Sequence, residues 1–266
     1  MAELRRAASI ARQQAEPRFR RLVTDPCQGD QAAQALRDWV SHANWQSANR
    51  FLQTVTDPDD RTFYLQVCAD VNGVQDWIEQ WETAESGSTL PLLVRGAHGV
   101  HWAWKAVGAP IAKHMVPDQF GEFFRRIKMA ETCLQKVIER DPADPAAWSF
   151  LITSGRGLWV ERAEAERRFA GALANYPWHL AAHVSMFQYL CEKWHGSHEL
   201  MFAFAREAAA KSPAGSPLAV LVANAHIEYW ASMSGVAPVG QVSRPDTTYL
   251  SRPEVLAEVN AAADHS

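Results

Sequence analysis

The sequence predicts an all-α fold in which a helical-repeat half continues an irregular helical half. Three observations predict it. Pro142, Pro177 and Pro213 stand 35 and 36 residues apart, and each closes one helical pattern and opens another. Apolar residues recur at spacings of three and four along most of the chain, as a helix with one buried face requires. No stretch sustains a two-residue alternation of β-branched residues, so no strand is predicted.

The elements follow in order. Residues 1–30 form a basic arm, predicted helical from Ala2 to about Ala15 and punctuated by Pro17, Pro26 and Gly29. It carries Arg5, Arg6, Arg12, Arg18, Arg20 and Arg21, a solvated helix face by its own pattern. Asp30 is placed to cap a helix over Gln31 to His42, with Ala32, Leu36, Trp39 and Val40 on its apolar face. Asn44 to Val55 repeats the pattern, and Asp57-Pro-Asp-Asp60 reads as a turn and cap. Helices are predicted over Phe63 to Val71, Val74 to Glu85 and Leu92 to Val107, with Ser86-Gly-Ser88 as a loop and Gly108-Ala-Pro110 as a break. A long helix runs from Pro117 to about Arg140, and the proline-spaced units follow. Residues 31–235 make one domain, and residues 236–266 an irregular tail with a short helix from Pro253 to Ala263.

Aligning the units on their prolines tests the repeat. Four residues earlier lie Ile138, Leu173 and Ala209; eight earlier, Leu134, Phe169 and Ala205; nine later, Leu151, Met186 and Val222. All are apolar, as contact positions between stacked units must be. A period near 34 residues with a helix-turn-helix unit is the signature of a tetratricopeptide-like right-handed solenoid.

Composition narrows the function. A net charge of −4 argues against a nucleic-acid binder, which needs a clustered basic excess. No apolar run marks a secretory leader or a membrane span. Cys27, Cys68, Cys133 and Cys191 show no metal or disulfide spacing; the last three fall in apolar helical patterns and read as small buried hydrophobes. A cytoplasmic location is expected. The 11 tryptophans, several in pairs such as Trp77 with Trp81, read as filler between helices.

Three segments carry a resemblance: Asp141-Pro-Ala-Asp-Pro-Ala-Ala-Trp148, Pro177-Trp-His-Leu-Ala-Ala-His183, and Lys193-Trp-His-Gly-Ser-His-Glu199 with Phe204-Ala-Arg206. They resemble a bacterial tetratricopeptide-like family whose members carry a Lys-Trp-Gly-Gly-Ser turn before a Phe-Ala-Arg helix. The resemblance spans about residues 31 to 230, and His195 departs from the family's glycine. It implies the fold and no reaction. By its own chemistry, Gly196 is expected to close a helix with a positive φ, and Ser197 to cap the next one.

Two clusters are the candidate ligand contacts. Arg95, His98, His101 and Trp102 gather cations, imidazoles and an indole around two glycines; Lys193, His195 and His198 sit at the motif turn. Either set suits a carboxylate or small anion. The plainer alternatives are a buried helix with Arg95 paired to a carboxylate, and a helix-helix corner. Histidine spacing also invites a metal set of His98, His101, His179, His183 and His226, with Glu228 beside it. The repeat alignment counters it, since His183 and His226 fall in interior slots. The leading reading is a non-catalytic protein that recognises a protein or peptide in a concave groove made by the first helices of the units, without cofactor, nucleic acid or membrane. The second is a histidine-rich metal-dependent enzyme. The third is a structural subunit whose tryptophan-rich faces form a homo-oligomer interface.

Overall fold

The computed structural model describes residues 25–107, 117–233 and 248–265. The predicted N-terminal helix, the break at Gly108 and most of the Gly235–Tyr249 connection lie outside them. Twelve α-helices and no strand occur among the described residues. In chain order they are α1 Gln31–Ser41, α2 Trp45–Leu52, α3 Pro58–Asp70, α4 Ile78–Ala84, α5 Leu90–Val107, α6 Pro117–Arg140, α7 Pro145–Leu158, α8 Arg162–Leu173, α9 Leu180–Tyr189, α10 His198–Lys211, α11 Val220–Met233 and α12 Pro253–His265. None of them is long and apolar enough to cross a membrane.

Local chemistry sets the starts. Asp30 accepts from the Ala33 amide at 2.7 Å, Asn44 from Ser47, and Asp57 from Asp59 and Asp60; each oxygen satisfies an N–H that the first turn leaves open. Pro58 and Pro145 occupy the first helical position, where a missing N–H costs nothing. Asp144 caps α7 through the Ala146 and Ala147 amides.

One predicted helix is two elements. Val74 to Glu85 divides into a 3-10 turn at Val74–Asp76 and α4, because Trp77 leaves helical geometry at φ −131°. Gly73, at φ 83°, feeds the turn in from the left-handed region. Trp77 and Trp81 still lie nearly parallel, 6.4 Å apart.

The main core is shared by α1 to α9, from Leu36 through Trp81, Leu93 and Ile127 to Leu151 and Ala182. Its tightest seam joins α5 to α6. A Cβ on Gly96 would sit 2.6 Å from Leu134 Cγ, and one on Gly99 2.9 Å from Ala130 Cβ, so these glycines serve helix-on-helix approach. Gly155 and Gly157 lie inside α7 and pack on Val160 and Phe123; α7 ends at Trp159, in the left-handed region at φ 59°.

α6 packs chiefly on α5 and also on α7, α7 packs on both α8 and α9, α9 touches α8 more lightly, and α10 packs on α11. Trp148 joins α7 to α8: its indole donates to the Pro142 carbonyl at 2.8 Å and its ring fills the space over Gly171. Of the nine aligned positions, Leu134, Leu151, Met186, Ala205, Ala209 and Val222 are buried and Ile138, Phe169 and Leu173 are half-buried. Cys27, Cys68, Cys133 and Cys191 are buried free thiols, and burial pushes Cys68 and Cys191 up to about 12. α12 packs back on α10 and α11, with Val255 buried and Glu258 bonded to Arg206 at 2.6 Å.

Candidate functional site

All four α5 residues are engaged by neighbours. Arg95 bonds Glu82 through both carboxylate oxygens, at 3.0 and 3.1 Å, and Glu79 at 2.9 Å. His98 is buried, with Nδ1 3.1 Å from the Ala69 carbonyl and Nε2 2.9 Å from the Gln75 amide. That burial pushes its pKa down to about 4, so the ring is neutral near pH 7. Trp102 lies under the Arg126 guanidinium, 3.8 Å from the ring centre. His101 meets the Phe150 ring edge to face and also lines a recess with Val100, Trp104, Lys105, Thr153 and Arg156.

The turn between α9 and α10 is fixed from several sides. Lys193 bonds both oxygens of Glu228, at 2.7 and 2.8 Å. His195 lies on the Tyr189 ring at 4.6 Å, and its Nε2 is 3.0 Å from the Arg156 carbonyl near the end of α7. His198 Nε2 is 2.8 Å from the Glu192 carboxylate. Ser197 caps α10 as predicted, accepting from the Leu200 amide at 3.3 Å. Gly196 corrects the sequence reading: it is not among the positive-φ glycines. A Cβ there would lie 1.9 Å from the Leu190 carbonyl oxygen, so glycine is required by the chain folding back on α9.

The two clusters meet at one point. Trp104 of α5 and Trp194 of the turn touch edge to face with centres 5.3 Å apart, and Arg156 lies over both rings. No local pattern in the sequence singles out Arg156, which stands between two glycines.

The histidines of the proposed metal set disperse. His179 Nε2 is 2.9 Å from Thr62 Oγ1 and 3.6 Å from Asp59. His183 Nδ1 is 2.9 Å from the His179 carbonyl, and its ring meets the Phe169 ring edge to face. His226 Nδ1 is 2.8 Å from the Tyr249 hydroxyl, with Glu258 3.3 Å from Nε2. Glu228 is held by Lys193 and Gln188. Among the described residues no three His, Cys, Asp or Glu side chains are grouped to hold a metal ion.

A second concavity was not anticipated residue by residue. α8, α9, α10 and the connection at Pro177 enclose an open groove of about 420 Å³. Phe169, Leu173, Met186, Leu190 and Phe204 give it an apolar surface, and Trp178 stands at its side, 37% exposed. Arg162 with Glu166, and Lys211 with Glu207, form ion pairs on its charged border. None of the seven predicted ligand contacts lines it. The available signal was Phe169 and Leu173, which the alignment marked as inter-helix contacts without showing that one side stays open. Comparison with protein-family models, with curated proteins and with solved structures gives no match.

Proposed function

We propose that this chain is a non-catalytic, tetratricopeptide-like binding protein that takes an apolar segment of a protein or peptide into the α8–α9–α10 groove. In this reading the pairs α6–α7, α8–α9 and α10–α11 stack as units of a right-handed solenoid. The groove's walls are then the first helices of two successive units, and α9 is its floor.

The apolar groove carries the proposal. Half-buried Phe169, Leu173 and Phe204 offer contact area to an aromatic or aliphatic anchor. The border charges already pair with each other, so the groove selects for shape and apolar content more than for a charged partner. Four free cysteines suit the reducing cytoplasm assigned to such a protein.

The test is selection from a displayed random-peptide library. Peptides enriched on the native chain are expected to carry spaced apolar anchors and to bind Trp178→Glu at least about tenfold more weakly, a loss of roughly 1.4 kcal/mol. Trp178 is exposed enough for that variant to keep the native thermal midpoint. Failure to enrich any peptide, or equal binding to both proteins, would contradict the proposal.

A further inference from the structure

We infer that the recess at Arg156 is a binding site for a small organic carboxylate, held by the guanidinium with its apolar body against Val100 and Trp104. This site is separate from the α8–α9–α10 groove, and each stands or falls without the other.

Arg156 carries a charge with no ion-pair partner among the described residues. Among the described residues, six arginines are buried or half-buried: Arg37, Arg61, Arg95, Arg126, Arg156 and Arg168. Five have a carboxylate oxygen within 3.6 Å. Arg156 has none, and its buried Nε has no hydrogen-bond partner. The one carboxylate that acts on it electrostatically, Glu228, is bonded to Lys193 and Gln188.

The surroundings hold the charge without satisfying it. The guanidinium carbon lies 4.9 Å from the Trp104 ring centre and 5.0 Å from that of Trp194. Two indole faces stabilise a cation and fix its plane, but they accept little of its hydrogen-bonding capacity. Trp104 Nε1 and Trp194 Nε1 are also buried without a hydrogen-bond partner. Donors therefore accumulate here and acceptors are missing. Burial pushes the Arg156 pKa down only to about 10, so the charge persists at neutral pH.

The recess beside it is large enough for a small molecule, at about 560 Å³. Val100 and Trp104 offer apolar surface, Thr153 a hydroxyl and His101 an imidazole. Lys105, at the edge, is tied to Asp70 at 3.0 Å. One free guanidinium fork matches one carboxylate. A phosphate dianion fits less well, because Arg156 sits in the last turn of α7, where the helix dipole is negative.

The experiment titrates the full chain with benzoate and hexanoate, with benzamide and hexanamide as neutral twins, and with inorganic phosphate. Tryptophan fluorescence and the thermal midpoint are the readouts. Saturable binding of a carboxylate is expected, with its amide at least about tenfold weaker. Arg156→Met removes a charge that has no ion pair, so it should fold and lose the carboxylate response. Thr153→Glu, one turn earlier on α7, places a carboxylate on Arg156 from within and should abolish binding while raising the thermal midpoint. The inference is overturned if no carboxylate saturates, if amides or phosphate bind as well as carboxylates, or if either variant still binds.

Discussion

Arg168 shows how single residues tie this molecule together. Its buried guanidinium spans three helices: Glu131 on α6, Glu164 on its own α8 at 2.7 Å, and the Leu151 carbonyl of α7. Glu131 also accepts from Ser154, so one carboxylate depends on two donors. Arg168→Ala removes one of the donors to Glu131 and to the Leu151 carbonyl, leaving Ser154 as the side-chain donor shared by both. A loss of about 3–5 kcal/mol in urea unfolding is expected, against under about 0.5 kcal/mol for an ordinary surface substitution. His98 supplies a pH dependence. Its pKa is about 6.5 when unfolded and about 4 when folded, because burial disfavours the charged ring. The unfolded chain therefore binds more protons between those values. Stability attributable to His98 is fully present above pH 6.5 and falls, by on the order of 3 kcal/mol, as the pH drops to 4. His98→Gln should flatten that limb of the stability curve. An unchanged slope would show that the ring is not held neutral by burial.

At the scale of elements, helix starts were legible wherever a side chain does the capping. Asp30, Asp57 and Ser197 act through their own oxygens on the next turn, a local event that sequence can reveal. The break at Trp77 was hidden because Val74, Ile78 and Trp81 keep helical spacing across it; the departure lies in backbone angles. Gly196 was hidden for a related reason. A glycine in a turn serves either a positive φ or a close approach, and only the path of the backbone distinguishes them. Here a substituent would meet the Leu190 carbonyl, which belongs to the chain itself and has little room to yield. Gly196→Ala is therefore expected to lower unfolding free energy by about 3 kcal/mol, the upper range for overpacking. Gly29→Ala, with open space around it, should cost about 1 kcal/mol through its positive φ alone. Equal effects from the two substitutions would contradict this assignment.

Across the whole molecule, the all-α class was legible from proline spacing and apolar periodicity. Six of the nine aligned positions were also legible as buried, because each sits at a fixed distance from its proline. Meetings between distant segments were not. Trp104, Arg156 and Trp194 converge from α5, α7 and the α9–α10 turn, and no local pattern announces that. The pairing of His198 with Glu192 was hidden in the same way, whereas Arg95 pairs with α4 carboxylates as the plainer reading of its helix expects. The groove between α8 and α10 likewise depends on how far two helices stand apart over α9. The most direct measurement is hydrogen–deuterium exchange of the full chain with and without a peptide selected on it. The binding account predicts slowed exchange concentrated in residues 162–173, 180–190 and 198–211. Protection confined to residues 31–107, with those three segments unchanged, would contradict it.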